Sequence, residues 1–134
     1  MKGGCLCGRV AIDVPGRPDH LNACNCSLCW SLGALWGYFP RDEVSVTGER
    51  SGYRRTDMAA TSITADFCPH CGATTNWTPL RDDIAHVGIN MRLFDPAELT
   101  GIEVRYEDVR HATPDGEPTY YAPSTRFDGL GIRI

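Results

Sequence analysis

No run in this chain of 134 residues approaches the roughly 20 consecutive apolar side chains that would span a bilayer, so no membrane-embedded role is expected. The opening Met1-Lys2-Gly3-Gly4-Cys5 lacks the apolar core of a secretory signal, which gives the cytoplasm as the expected location. Basic residues are in the minority: 13 Lys and Arg against 17 Asp and Glu give a formal charge of −4, with no basic stripe. Binding to nucleic acid through phosphate contacts is therefore not expected. No segment sustains a 3.6-residue apolar period, and there is no internal repeat or low-complexity tract. The length suits one domain, residues 1–134, small enough for a bound metal to matter to its stability.

What the chain does have is seven cysteines. In a reducing compartment disulfides are rare, and an odd number at spacings of two and three residues suits metal binding better than a disulfide framework. In Cys5-Leu6-Cys7-Gly8 an extended backbone points both thiols to one side, and Gly8 permits a tight turn beyond them. In Cys68-Pro69-His70-Cys71-Gly72 the spacing is C-x-x-C, with Pro69 stiffening the loop. Together these half-sites supply the four thiolates of a closed, structural zinc site that ties the start of the chain to its middle. The competing reading is four cysteines with packing value only.

Cys24-Asn25-Cys26-Ser27-Leu28-Cys29 places three more thiols within one turn of backbone, and no cysteine is left to close the set. Three thiolates leave one coordination position open for water or a substrate, the usual mark of a metal that does chemistry. Alternatively one of His20, His70, His86 or His111 closes the site and makes it structural. Asn25 and Ser27 could donate hydrogen bonds to sulfur or to a bound oxygen, although both are also ordinary loop residues.

The remaining pattern reads as strands. Val10, Ile12 and Val14 alternate with polar or small neighbours up to the turn Pro15-Gly16-Arg17-Pro18. Strands are expected around 34–39, 43–47, 53–56, 61–67, 73–77, 84–90 and 102–106, with a helical turn at Asp95-Pro96-Ala97-Glu98-Leu99 started by an Asp cap and a proline. From His111 to Ile134, prolines and glycines predict an irregular tail. Trp36, Tyr38 and Phe39 could line an apolar pocket beside the three cysteines or simply belong to the core.

Three motifs in order, Gly4-Cys5-Leu6-Cys7-Gly8-Arg9-Val10, Cys24-Asn25-Cys26-Ser27-Leu28-Cys29 and Phe67-Cys68-Pro69-His70-Cys71-Gly72, resemble the glutathione-dependent formaldehyde-activating enzyme (GFA) family, which includes centromere-protein-V-like members. Leu93-Phe94-Asp95-Pro96 and Asp115-Gly116-Glu117-Pro118-Thr119-Tyr120 are similar to weaker family patterns. The resemblance implies an all-β, zinc-binding fold of the β-tent type shared with Mss4-like proteins. It also implies two zinc ions per chain, one structural on Cys5, Cys7, Cys68 and Cys71 and one catalytic on Cys24, Cys26 and Cys29. The implied activity is that of a carbon–sulfur lyase joining formaldehyde to glutathione as S-hydroxymethylglutathione. Two departures stand out. Trp30-Ser31-Leu32-Gly33 replaces a basic residue and a Ser-Gly pair, and Thr64-Ala65-Asp66 stands where a basic residue often precedes the Phe-Cys motif. Both remove positive charge from the neighbourhood of an anionic thiol.

The expected partners are thus a small-molecule thiol and a small aldehyde. Arg41, Arg54, Arg55 and Arg92 are the candidates for a thiol's carboxylates, and a strand would let at most one of Arg54 and Arg55 reach a shared pocket. A non-catalytic zinc module that presents a surface to a protein partner, or a redox and zinc sensor that releases metal on oxidation, are the competing functions. The number of subunits is not legible in the sequence.

Overall fold

The computed structural model describes residues 1–113 and 115–131. Two antiparallel β-layers carry the fold. The smaller sheet joins β1 (Lys2–Gly4), β2 (Ala11–Asp13) and β5 (Ser45–Thr47) in that order. The larger sheet contains β3 (Leu21–Asn22), β4 (Trp36–Pro40), β6 (Ser51–Tyr53), β7 (Ile63–Phe67), β8 (Thr74–Pro79), β9 (His86–Asn90), β10 (Glu103–Glu107) and β11 (Tyr120–Arg126). Its order is β11-β10-β3-β4-β9-β8-β7-β6, and every neighbouring pair is antiparallel except β3 with β10. The mainly-β expectation holds.

Period-two patterning decides which faces meet. Val10, Ile12 and Val14 are buried while Ala11 and Asp13 face solvent. Ile12 and Val14 pack in one core with Leu21, Phe39, Ile89 and Val104 from the larger sheet and with Leu35, which precedes β4. The opposite face of that sheet carries Trp36 and Trp77 in a separate cluster, against which Cys24 and Cys29 pack. Phe39 is therefore core, and Trp36 lies on the side of the cysteines.

Asp95 accepts a hydrogen bond from Ala97 N at 3.0 Å and starts the expected helical turn, Pro96–Leu99. Several elements differ from the sequence reading: β1 is not among the expected strands, the strand expected at 53–56 lies at Ser51–Tyr53, and two further differences bear on the site. The tail is not irregular throughout: within its described part Tyr120–Arg126 forms β11, paired with β10, while Pro114 and residues 132–134 lie outside the described residues. This strand sits at a sheet edge with six of its seven side chains exposed, so it has no hydrophobic alternation to read, and Pro123 is tolerated because an edge strand can forgo a ladder donor. The second is a helix, α1 (Ser27–Leu32), of six residues. Its sequence shows no amphipathic stripe because none of its residues is buried; it exists to hold cysteines.

Candidate metal centres

Gly8 and Gly72 follow the two half-sites with φ of 80° and 78°, the left-handed conformation that glycine adopts without strain. Each reverses the chain so that the preceding sulfurs converge. Gly8 N donates to Cys5 O at 3.0 Å, and Gly72 N donates to Cys68 O at 2.8 Å. Cys5 and Cys7 leave β1, Cys68 and Cys71 sit between β7 and β8, and all four Sγ atoms lie within 4.8 Å of one another. Cys5 Sγ is 3.6 Å from Cys7 Sγ, which is 3.7 Å from Cys68 Sγ. A tetrahedron of zinc–sulfur bonds of about 2.3 Å has edges of about 3.8 Å, whereas a disulfide would need about 2.05 Å. All seven cysteines are free. The four-sulfur group thus has the shape of a closed zinc site. Val10 N donates to Cys5 Sγ at 3.2 Å, and backbone amides of Ala73 and Cys7 lower the Cys71 thiol to about 6, so Cys71 already favours thiolate, while Cys68 is raised.

The second group, Cys24, Cys26 and Cys29, also converges within 4.8 Å. Cys26 is the N-cap of α1, its sulfur accepting from Cys29 N at 3.3 Å, and Gly33 closes the helix in the left-handed conformation. Cys24 Sγ accepts from Cys26 N at 3.4 Å, and Cys29 Sγ accepts from the indole Nε1 of Trp36 at 3.3 Å. Each sulfur therefore has its own N–H donor, the arrangement that stabilises thiolate. Without a bound cation the three share one charge. It falls on Cys26, whose thiol is lowered to about 2 by Cys24 and then Cys29, while Cys24 is pushed well up and Cys29 rises to about 11. A divalent cation would relieve that crowding.

No histidine, aspartate or glutamate joins this group among the described residues. His20 faces Tyr38, His70 faces Glu49 at 3.5 Å, His86 packs on Trp77, and His111 Nδ1 lies 2.9 Å from Asp108 Oδ1. Asn25 is likewise committed elsewhere. Its Nδ2 donates to Asp108 at 2.7 Å, and its Oδ1 accepts from Arg110 N at 3.0 Å, so it pins the loop after β10 onto the cysteine loop. Ser27 Oγ accepts from Arg55 at 2.9 Å. Strand β6 ends at Tyr53, so Arg55 lies beyond it and reaches the cluster by a turn of the chain, already paired with Asp57 at 2.7 Å.

Cys24 and Cys29 open on a cavity of about 780 Å³. Its walls include Trp30, Tyr106, Tyr121 and Pro123, with Arg92 the one charged side chain. Of the four arginines expected near a substrate, Arg92 lines the cavity and Arg55 approaches the cysteines. Arg41 instead donates to Ile84 O at 3.2 Å and does not line the cavity. The aromatic walls are not those expected, since Trp36 donates to sulfur, Tyr38 faces another recess and Phe39 is core. Tyr121 was hidden by the unreadable edge strand, and Trp30 by the six-residue helix.

Comparison with known proteins agrees with this architecture. A crystal structure of a Rhodobacter sphaeroides protein superposes with a TM-score of 0.59 at 25% identity, over 71% of this chain and 88% of that one. Fungal proteins named "Putative glutathione-dependent formaldehyde-activating enzyme" match at 39% identity over 76 residues in Penicillium rubens and 35% over 74 residues in Aspergillus oryzae. These matches cover 54% and 51% of this chain but only 39% and 38% of the fungal proteins, so the chain spans about two fifths of their length. The family model for glutathione-dependent formaldehyde-activating enzymes matches residues 1–107, which takes in all seven cysteines, and the chain belongs to that family.

Proposed function

We propose that this protein is a zinc-dependent enzyme of the carbon–sulfur lyase type that adds a thiol to a small aldehyde. In this reading Cys5, Cys7, Cys68 and Cys71 hold a structural zinc, and Cys24, Cys26 and Cys29 hold a reactive one. The observation that carries it is the contrast between a four-sulfur group of tetrahedral dimensions and a three-sulfur group that faces a cavity without a fourth protein ligand among the described residues.

Zinc in the second group would supply a Lewis acid that lowers the pKa of an incoming thiol. In the overall reaction the sulfur forms a bond to the carbonyl carbon, the C=O π pair moves to oxygen, and the proton released by the thiol ends on that oxygen. R–SH and formaldehyde become R–S–CH₂OH with no redox change. The chain's own contributions are distinct. Trp36 and the amides of Cys26 and Cys29 hold the three sulfurs as acceptors, and the walls around Trp30 and Tyr121 offer apolar surface for the organic part of a thiol in a cavity that stays open to solvent. Ser27, held by Arg55 through its lone pair, keeps its own hydroxyl proton free to donate, whereas Asn25 is spent on Asp108 and Arg110. A cavity with one arginine suits a thiol with little negative charge better than one with two carboxylates.

The test is hemithioacetal formation by the two-zinc protein, followed by exchange NMR with formaldehyde and a series of thiols. A rate above that of the uncatalysed mixture, absent in Cys26→Ser and greater with a neutral small thiol than with glutathione, is expected. No enhancement with any thiol would overturn the enzyme reading in favour of a binding or sensing role. Enhancement restricted to glutathione would overturn the substrate preference alone.

A further inference from the structure

On the face of the larger sheet that carries the cysteines a second recess, of about 390 Å³, is lined by aromatic rings together with Asn22, Arg105 and Glu107. The proposed reaction uses none of its side chains. Its rings form a continuous wall: Tyr38 lies 5.8 Å from His20, 6.3 Å from Trp77 and 5.8 Å from His86, and Trp77 lies 5.4 Å from His86, with tilted or edge-on planes. Such walls offer ring faces, which carry partial negative charge, alongside ring edges.

The polar groups point the same way. Asn22 is 5% exposed, and its Nδ2 donates to Tyr38 Oη at 2.8 Å, but its Oδ1 has no hydrogen-bond partner. A buried acceptor left open calls for an N–H or O–H donor. Arg105, the cation among the lining residues, is already held by Glu103 at 3.1 Å. The carboxylate of Glu107 has no partner of opposite charge among the described residues, so it is the uncompensated charge of the recess. Burial, and then Arg105, lower the His20 pKa and keep that ring neutral at pH 7.

From an aromatic wall, an unpartnered buried carbonyl and a free carboxylate, we infer that this recess binds a primary ammonium group. The N–H bonds would go to Asn22 Oδ1 and Glu107, with the alkyl stem against Trp77 and Tyr38. Neither neutral alcohols nor carboxylates satisfy all three features, and a quaternary ammonium lacks the N–H that Asn22 requires. The recess adjoins the three-cysteine group, since Tyr38 and Trp77 share a cluster with Cys24 and Cys29, but none of the groups assigned to the ammonium is a sulfur.

The experiment uses the full two-zinc chain labelled with nitrogen-15 and titrated with propylammonium, tetramethylammonium, 1-propanol and propionate. Propylammonium is expected to shift the Trp77 indole N–H and the Asn22 side-chain amide saturably, and the other three probes to bind at least about fivefold more weakly. Glu107→Gln should weaken propylammonium about tenfold. His86→Ala, an exposed wall position whose loss leaves the core intact, should weaken it about threefold. Equal or stronger shifts with propionate or propanol, no saturable shift with propylammonium, or undiminished affinity in both variants would overturn the assignment. Binding is the only readout, so its failure is separable from a failure of the lyase reading.

Discussion

Trp36 shows how one side chain links the core to the chemistry. Its indole is buried at 2% exposure, yet its N–H goes to Cys29 Sγ. Trp36→Phe keeps one aromatic ring but removes the donor together with part of the buried indole volume, so its effect on the two sites is compared with its effect on overall stability. Loss of a hydrogen bond to a charged sulfur, at about 1.5–3 kcal/mol, should lower zinc affinity at the three-cysteine group by about tenfold or more, while the four-cysteine group is unchanged. Competition with a chromophoric chelator resolves the two sites and checks this. Asp108 offers a pH test. Its carboxyl is held below the ordinary carboxylate range by Asn25 first and His111 second. A lowered folded pKa stabilises above the unfolded value and is lost as pH falls through the folded one, so the docking of this loop should fail only in acid, below about pH 4. In Asn25→Ala the midpoint should move up towards the ordinary value, read from the backbone amides of Arg110 and His111 in an NMR titration. A midpoint unmoved by the substitution would detach Asn25 from this role.

At the scale of elements, close approach between strands is as decisive as pairing. Gly88 on β9 faces Trp77 on β8, and a Cβ there would stand 1.9 Å from the indole nitrogen. Gly88→Ala should push Trp77 off the sheet, lower stability by about 1–3 kcal/mol and change the near-ultraviolet circular dichroism, with a thermal melt as the measure. How much of this could be read in advance follows the same logic. Val10, Ile12 and Val14 announced β2 because one face is buried and the other is not, and Asp95-Pro96 announced its turn because capping is local chemistry. Strand β11 could not be read because an edge exposed on both faces leaves no alternation, and α1 because a helix with no buried residue leaves no stripe. The two cysteine groups were legible as sets, since ligand spacing is fixed by metal geometry. The cavity was not, for its walls come from α1, β10 and β11, brought together only by long-range pairing.

For the whole molecule, the four-sulfur group fastens the small sheet to the β7–β8 hairpin of the large one, so its metal is expected to carry folding free energy while the other need not. Cys68→Ser should give poorly folded protein. Cys26→Ser should fold, bind one zinc and lose hemithioacetal formation. Circular dichroism with metal analysis distinguishes these outcomes, and equal instability of both variants would show that the roles are divided wrongly. The expression product loaded to saturation should hold two zinc ions per chain with sulfur at about 2.3 Å by X-ray absorption.

The ladder that positions the three-cysteine loop has a bearing on the order in which the protein matures. Ala23 N and Asn25 N donate to Arg105 O and Glu107 O, and Asn25 and Asp108 stand 83 residues apart along the chain. The four-sulfur group joins Cys7 to Cys68 across 61 residues and needs nothing beyond Cys71. Closing the longer loop adds only a few tenths of a kcal/mol, so chain entropy hardly separates the two events. Availability does: during synthesis the first group is complete while the partner strand of the second is still unmade. In the two-zinc reading the four-sulfur group would therefore be able to take its ion before the loop of Cys24, Cys26 and Cys29 is docked on β10, although the N–H donors of those three sulfurs, from Cys26, Cys29 and Trp36, are themselves made early. On stalled nascent chains with Cys71 but not yet β10 outside the ribosome, pulsed alkylation with zinc present should find Cys5 and Cys68 protected, and Cys24 and Cys29 more reactive than in chains that also expose β10.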